Sequence, residues 1–189
     1  MCGFLVEYNL SSQNSLIKEH FLALLALSRK RGPDASGYDF IAPHIQMGFN
    51  RLAIQDTSVA GRQPMLSPNK KFTIVFNGEI YNHLDLRKKL DFTNYLGHSD
   101  TETITVCLEA WGVEKTIKAL NGMFSLVIYN HQTQELSLVR DFAGIKPLFF
   151  GWNGKTLVAA SQYDQIINHP TYSNKTVNPQ ILKLYLQTL

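Results

Sequence analysis

Two cysteines in 189 residues, Cys2 and Cys107, are too few for a disulfide framework. That scarcity fits a reducing cytoplasm, where a reactive thiol would survive. The longest apolar run, Phe21 to Leu27, is seven residues, and a membrane span needs about 20. No membrane partner is therefore expected. The first residues lack a basic stretch and carry Glu7, so no secretory leader is read there. Charged residues make up 17% of the chain and its net charge is only +3. The basic residues cluster once, at Arg29, Lys30 and Arg31, where a helix end accounts for them. Nothing here points to a nucleic acid. The strand–GxxxxGK–helix phosphate loop, HExxH, paired CxxC and the GxSxG elbow are all missing. The six histidines have no metal-ligand spacing, so no metal site is expected.

What is present is an ordinary globular composition, 44% hydrophobic. The length suits one domain, or one domain and the start of another. Phe4 to Tyr8 reads as a strand. Asn14 or Ser15 can cap a helix running to about Arg31, with Ile17, Phe21, Leu24, Leu25 and Ser28 on one side. Gly32 and Pro33 end it. Tyr38 to Ala42 and Ile45 to Phe49 form a predicted hairpin around Pro43, and Arg51 to Asp56 a short extended stretch. Phe72 to Phe76 is an apolar run that stops at the turn signal Asn77-Gly78, before a helical pattern over His83 to Leu90.

Ser99 and Glu102 have capping-box spacing, with Asp100 at the positive helix start. Ile104, Cys107, Leu108 and Trp111 line one face behind them, which makes Cys107 a packing thiol. A second short helix covers Val113 to Leu120. Met123 to Tyr129 pairs with Glu135 to Arg140, and Leu148 to Trp152 with Thr156 to Ala160 through Asn153-Gly154. Gln180 to Leu189 is helical. Without regular βαβ alternation, the fold class is α+β.

Cys2 stands out chemically. Removal of Met1 would place a thiol and a free α-amine on one residue. Their ordinary pKa values, roughly 8.5 and 7.7–8.0, let them exchange a proton near neutral pH. A thiol attacking a carboxamide needs donors for the oxyanion, and an Asn side-chain NH₂ beside a Gly N–H supplies two. An amide on a free amino acid also needs a partner for its α-carboxylate, which Arg51 can fork, and one for its α-ammonium, which Asp100 can pair. Taken singly, each residue has an ordinary reading: Asn77-Gly78 a turn, Asp100 a helix-start charge, Arg51 a surface ion pair.

MCGF, RGPD (Arg31 to Asp34), RLAIQD (Arg51 to Asp56), QPM (Gln63 to Met65), FNGEIYN (Phe76 to Asn82), HSDTE (His98 to Glu102), NGMFSLVIY (Asn121 to Tyr129) and RDFAGIKPLFF (Arg140 to Phe150) occur in this order. Together they resemble the N-terminal glutaminase domain of the glutamine-hydrolysing asparagine synthetase family, a class II glutamine amidotransferase. The resemblance covers nearly the whole chain. It implies an N-terminal-nucleophile hydrolase fold, a four-layer αββα sandwich of two antiparallel sheets between helical layers. By similarity, Cys2 is the nucleophile once Met1 is removed, and its α-amine is the general base. Asn77 and Gly78 form the oxyanion hole, and Arg51 holds the glutamine α-carboxylate. Ile54 and Gln55 line the pocket, Glu79 and Asp100 bind the α-amino end, and the RGPD turn shapes the loop near the thiol.

The same resemblance makes residues 1–189 a type-2 amidotransferase domain, with 178–189 the start of a linker to a synthetase domain or subunit. The synthetase SGGxDS loop is absent, so ATP and magnesium are expected only in that missing domain and no cofactor in this chain. L-glutamine is the implied substrate; a homodimer is left open. Two positions depart from the family: Phe142 where Arg is usual, and Gln162 where Glu is usual. Both bear on the interface with the next domain. Two other readings stay open: an N-terminal cysteine hydrolase of another amide, and a non-catalytic partner domain that keeps Met1.

Overall fold

The computed structural model describes residues 1–11, 16–172 and 178–188. Strand β1 (Gly3–Asn9) lies at the centre of a five-stranded sheet, between β3 (Ile45–Arg51) and β9 (Thr156–Ala160). Strands β2 (Ala35–Ala42) and β8 (Phe149–Trp152) form its edges. A second sheet has the order β4 (Met65–Leu66), β5 (Phe72–Ile80), β6 (Gly122–Asn130), β7 (Leu136–Arg140). Every pair in both sheets is antiparallel.

Side-chain alternation then builds the layers. Phe4 and Val6 of β1, with Ile45, Met47 and Phe49 of β3, meet Val75, Val127 and Tyr129 of the second sheet in the core between the sheets. Leu5, Val158 and Ala160 face the other way. They pack on Phe21, Leu24 and Leu25 of helix α1 (Lys18–Ala26) and on Ile166 of α4 (Tyr163–Ile167). On the far side, Ile74, Phe76, Ile80, Leu126 and Ile128 pack on α2 (His83–Lys88) and α3 (Asp100–Ala119) through Leu86, Ile104, Cys107 and Leu108. The order helix, sheet, sheet, helix is the expected αββα sandwich.

Several local expectations need correction. Helix α1 begins at Lys18 and gives way after Ala26 to a 3-10 turn over Arg29–Arg31. Ile17 sits at its N-cap position, 61% exposed, rather than on the packed face. The proposed caps Asn14 and Ser15 lie outside the described residues. Only Arg51 of the Arg51–Asp56 stretch is strand; the rest is a loop leading to a 3-10 turn at Val59–Gly61. The two helices expected on either side of Gly112 are both present: the span of α3 breaks between them, where Gly112 leaves helical geometry at φ +76°. The capping box is half made. The Ser99 hydroxyl accepts the Glu102 N–H at 3.2 Å, but the Glu102 carboxylate accepts the Leu96 and Gly97 N–H groups at 2.7 and 3.0 Å. The last helix, α5, spans Pro179–Gln187.

The most consequential correction concerns Asn77-Gly78. Strand β5 does not turn there but continues to Ile80, with Asn77 opposite Ser125 and Gly78 opposite Phe124. A glycine is required at 78 because β6 comes too close for a side chain. A Cβ would lie 2.3 Å from the Met123 carbonyl oxygen and 2.7 Å from the Phe124 Cα. Local turn preference yields to ladder pairing and this close approach.

Candidate active site

The N-terminal segment enters the end of the inter-sheet core, where Cys2 packs half-buried. Its backbone is gripped from several directions. Arg31 Nε donates to the Cys2 carbonyl at 3.0 Å. The Phe4 N–H donates to the Ser161 hydroxyl, and the Ser161 N–H returns a bond to the Phe4 carbonyl, both at 3.1 Å. The RGPD segment thus acts on the first residues directly. It also orders the loop after β3, because the Asp34 carboxylate accepts the Ala53 N–H at 2.8 Å. Gly32 permits this, since a Cβ there would fall 2.1 Å from the Asn50 carbonyl oxygen.

The Cys2 thiol lies against Leu52, whose N–H donates to Sγ at 3.4 Å and whose carbonyl accepts from it at 3.6 Å. Burial pushes the thiol's pKa up; the Leu52 contact, the N-terminal charge and Arg51 oppose that rise, while Glu79 adds to it. The nitrogen of Cys2 donates to Asn77 Oδ1 at 3.0 Å. That bond fixes the orientation of the amide, because only the oxygen can accept an N–H. The other end, Asn77 Nδ2, is buried and has no hydrogen-bond partner among the described residues. A buried, unmatched donor costs stability and calls for an explanation.

Gly78 supplies a second donor by register. Tyr81 N–H bonds to Asn121 across the strand pair, so odd-numbered residues of β5 face β6. Even-numbered residues face away. The Phe76 N–H is taken by Gln63 Oε1 at 2.6 Å and the Ile80 N–H by Asp100 Oδ2 at 2.8 Å. Gly78 lies between them, facing the same way and lining the cleft.

Cys2, Arg51, Ile54, Gln55, Asn77, Gly78, Glu79 and Asp100 all line this one cleft. Their positions within it differ. Ile54 stands at the rim, 64% exposed. Among the described residues Arg51 forms no ion pair; its guanidinium donates to the Ser58 carbonyl at 2.7 Å and to the Asp56 carbonyl. Gln55 donates to Glu79 and accepts the Asp100 N–H at 3.3 Å. Asp100 is 5% exposed, and its pKa is raised to about 6 by burial and the neighbouring Glu79 charge, against the Ile80 N–H and Thr101. The cleft therefore has an acidic end at Glu79 and Asp100 and a donor pair beside the thiol.

Sequence reasoning missed the supports. Asp56, held at about 2 by the Ser58 hydroxyl and the His98 N–H, ties the loop after β3 to the start of α3. Gln63 closes both backbone groups of Phe76 and reaches Thr101. Buried Lys146, at the end of a loop that Asp141 organises through the Phe124, Ile145 and Lys146 N–H groups, also lines the cleft. The QPM and RDFAGIKP motifs were the available signals for Gln63 and Lys146. Cys107 is buried as expected, its pKa pushed up to about 12 by burial. Phe142 is fully exposed, and Gln162 stands at the start of α4 bonded to the Asp164 carboxylate. Among the described residues no group of three or more His, Cys, Asp or Glu side chains could hold a metal ion. None of their helices is long and apolar enough to cross a membrane.

Asparagine synthetase [glutamine-hydrolyzing] 1 of Bacillus subtilis is 35% identical over 157 residues, 79% of this chain and 24% of that protein. Asparagine synthetase [glutamine-hydrolyzing] 1 of Arabidopsis thaliana is 35% identical over 156 residues, 80% of this chain and 26% of that protein. The chain thus spans about a quarter of the length of these relatives. Among solved structures, the glutamine phosphoribosylpyrophosphate amidotransferase of B. subtilis, complexed with ADP and GMP, shares the fold. Its TM-score is 0.70 at 19% identity, over 87% of this chain and 43% of that one. The model of the glutamine amidotransferase domain family matches residues 1–189. The chain belongs to the glutamine amidotransferase domain family.

Proposed function

We propose that this domain hydrolyses the side-chain amide of L-glutamine through Cys2, after Met1 is removed, and yields glutamate and ammonia. The observation that carries the reading is the Asn77 amide. Its oxygen takes the Cys2 nitrogen, its buried NH₂ has no partner among the described residues, and Asn77 lines the thiol's cleft.

Without Met1, the Cys2 nitrogen is an amine that can accept the thiol proton. The thiolate attacks the γ-carbonyl carbon, a C–S bond forms, and the carbonyl electrons move to oxygen. Asn77 Nδ2 and the Gly78 N–H donate to that oxyanion. Collapse breaks the C–N bond, the ammonium of Cys2 returns its proton to the leaving nitrogen, and ammonia departs. Water activated by the amine then attacks the γ-glutamyl thioester, breaking C–S and restoring the thiol. Arg51 forks the α-carboxylate, and Glu79 and Asp100 receive the α-ammonium beside Ile54 and Gln55. With Met1 retained the nitrogen is an amide and no base is available.

The length of the relatives supports a synthetase region or subunit that receives the ammonia, with residues 178–189 leading towards it. ATP and magnesium belong to that region and not to this domain. A reducing cytoplasm is the compartment that suits a free nucleophilic thiol. The test is glutamate and ammonia release from glutamine by chain whose intact mass shows loss of Met1. Equimolar release is expected; no release from the processed chain, alone or with a synthetase, would sink the proposal.

The Asp100 carboxyl gives this reading a pH signature. It titrates at about 6 and must be ionised to pair with the α-ammonium. Glutaramate, which is glutamine without its α-amine, makes no such demand. The selectivity for glutamine over glutaramate should be level between about pH 7 and 8, where the α-amine is still largely protonated, and fall towards tenfold per unit below about pH 6. Parallel profiles for the two amides would remove Asp100 from ammonium binding.

A further inference from the structure

Gln55 lies in the loop after β3 with its side chain at the surface. Both ends of its amide are nevertheless engaged. Nε2 donates to Glu79 Oε2, and Oε1 accepts the Asp100 backbone N–H at 3.3 Å. One side chain therefore joins the loop, the end of strand β5 and the first residue of α3. Its two partners are the residues whose carboxylates form the acidic end of the cleft.

This bridge solves two problems of an empty ammonium site. Neighbouring carboxylates repel, and an amide N–H on Glu79 offsets part of that repulsion while leaving further lone pairs free. A half-buried glutamate also spreads over rotamers, at an entropic cost when a ligand fixes it. The bond to Nε2 fixes it in advance. Bulk at position 55 would line the cleft equally well in an apolar side chain, so the amide itself requires an account.

We propose that Gln55 sets α-ammonium selectivity: it is a positioning residue whose amide holds the Glu79 carboxylate at a fixed spacing from the start of α3. The inference rests on the glutaminase reading and assigns a determinant within that site. It separates recognition of the α-amine from the chemistry at Cys2, which Gln55 does not contact.

The experiment compares kcat/KM for glutamine and for glutaramate at one pH above 7, in the full processed chain and in Gln55→Met. Methionine keeps the length and loses both hydrogen bonds. The glutamine-over-glutaramate ratio should fall about tenfold, the worth of one charge-assisted hydrogen bond, through a higher KM for glutamine. Gln55→Asn, too short to span both partners, should show the same loss. An unchanged ratio, or equal losses on both amides, overturns the role of Gln55 while leaving glutamine hydrolysis standing. Absence of hydrolysis in the parent chain overturns both readings.

Discussion

Cys2→Ala should reduce glutamate release from glutamine by at least about 10⁴-fold, because in the proposed reaction the covalent intermediate forms on its Sγ and no other thiol lines the cleft among the described residues. Cys107, the second thiol, is buried on the opposite side of the second sheet, among Ile104 and Leu108. Folding should survive the change. Cys2 precedes β1 and only borders the inter-sheet core, and the segment is held through backbone groups of Cys2 and Phe4. A single-atom truncation there costs about 1 kcal/mol, or about 2–4 °C in Tm. Steady-state glutamate release and a thermal melt on the same preparation check both halves. Release at the parent rate would remove Cys2 from the chemistry.

Asn77→Ala should lower kcat by about 10²–10³-fold with a much smaller change in KM, since in the proposed reaction its NH₂ acts on the oxyanion and not on the bound amide. Stability should change little, because two effects oppose each other: deleting the buried Nδ2 removes an unmatched donor, and deleting Oδ1 removes the acceptor of the Cys2 nitrogen. Asn77→Asp separates the two ends of the amide: an acceptor for the Cys2 nitrogen remains, and the donor is gone. It should lose activity as Asn77→Ala does. A large rise in KM at unchanged kcat in either variant would make Asn77 a ground-state binding residue.

The sequence showed its chemistry through a combination of residues that are each ordinary where they stand. A cysteine at position 2, an Arg opening an extended stretch and an Asp at a helix start could be connected to one amide substrate, and the structure brings them to one cleft. Strand positions were legible, but the alternation within them was obscured. Both faces of each sheet are covered, so β1 and β5 read as continuous apolar runs instead of a two-residue period.

Asn77-Gly78 misled for a different reason. The dipeptide has strong local turn chemistry, and what overrides it is a backbone contact with Met123 and Phe124, far away in sequence. The supports for Cys2 were equally hidden. Leu52 acts through its N–H and carbonyl, and Arg31 and Ser161 act on backbone groups of Cys2 and Phe4. Such roles place little demand on residue type at the receiving end. Gln55 was legible only as a pocket residue; its hold on Glu79 and α3 appears once the three segments are folded together.

The most direct test of the account is an intact-mass measurement on processed chain quenched during glutamine turnover. It should show a γ-glutamyl adduct located on Cys2, present only in molecules that have lost Met1 and absent from Cys2→Ala. Glutamate release at full rate from molecules that retain Met1, or with Cys2 never modified, would contradict it.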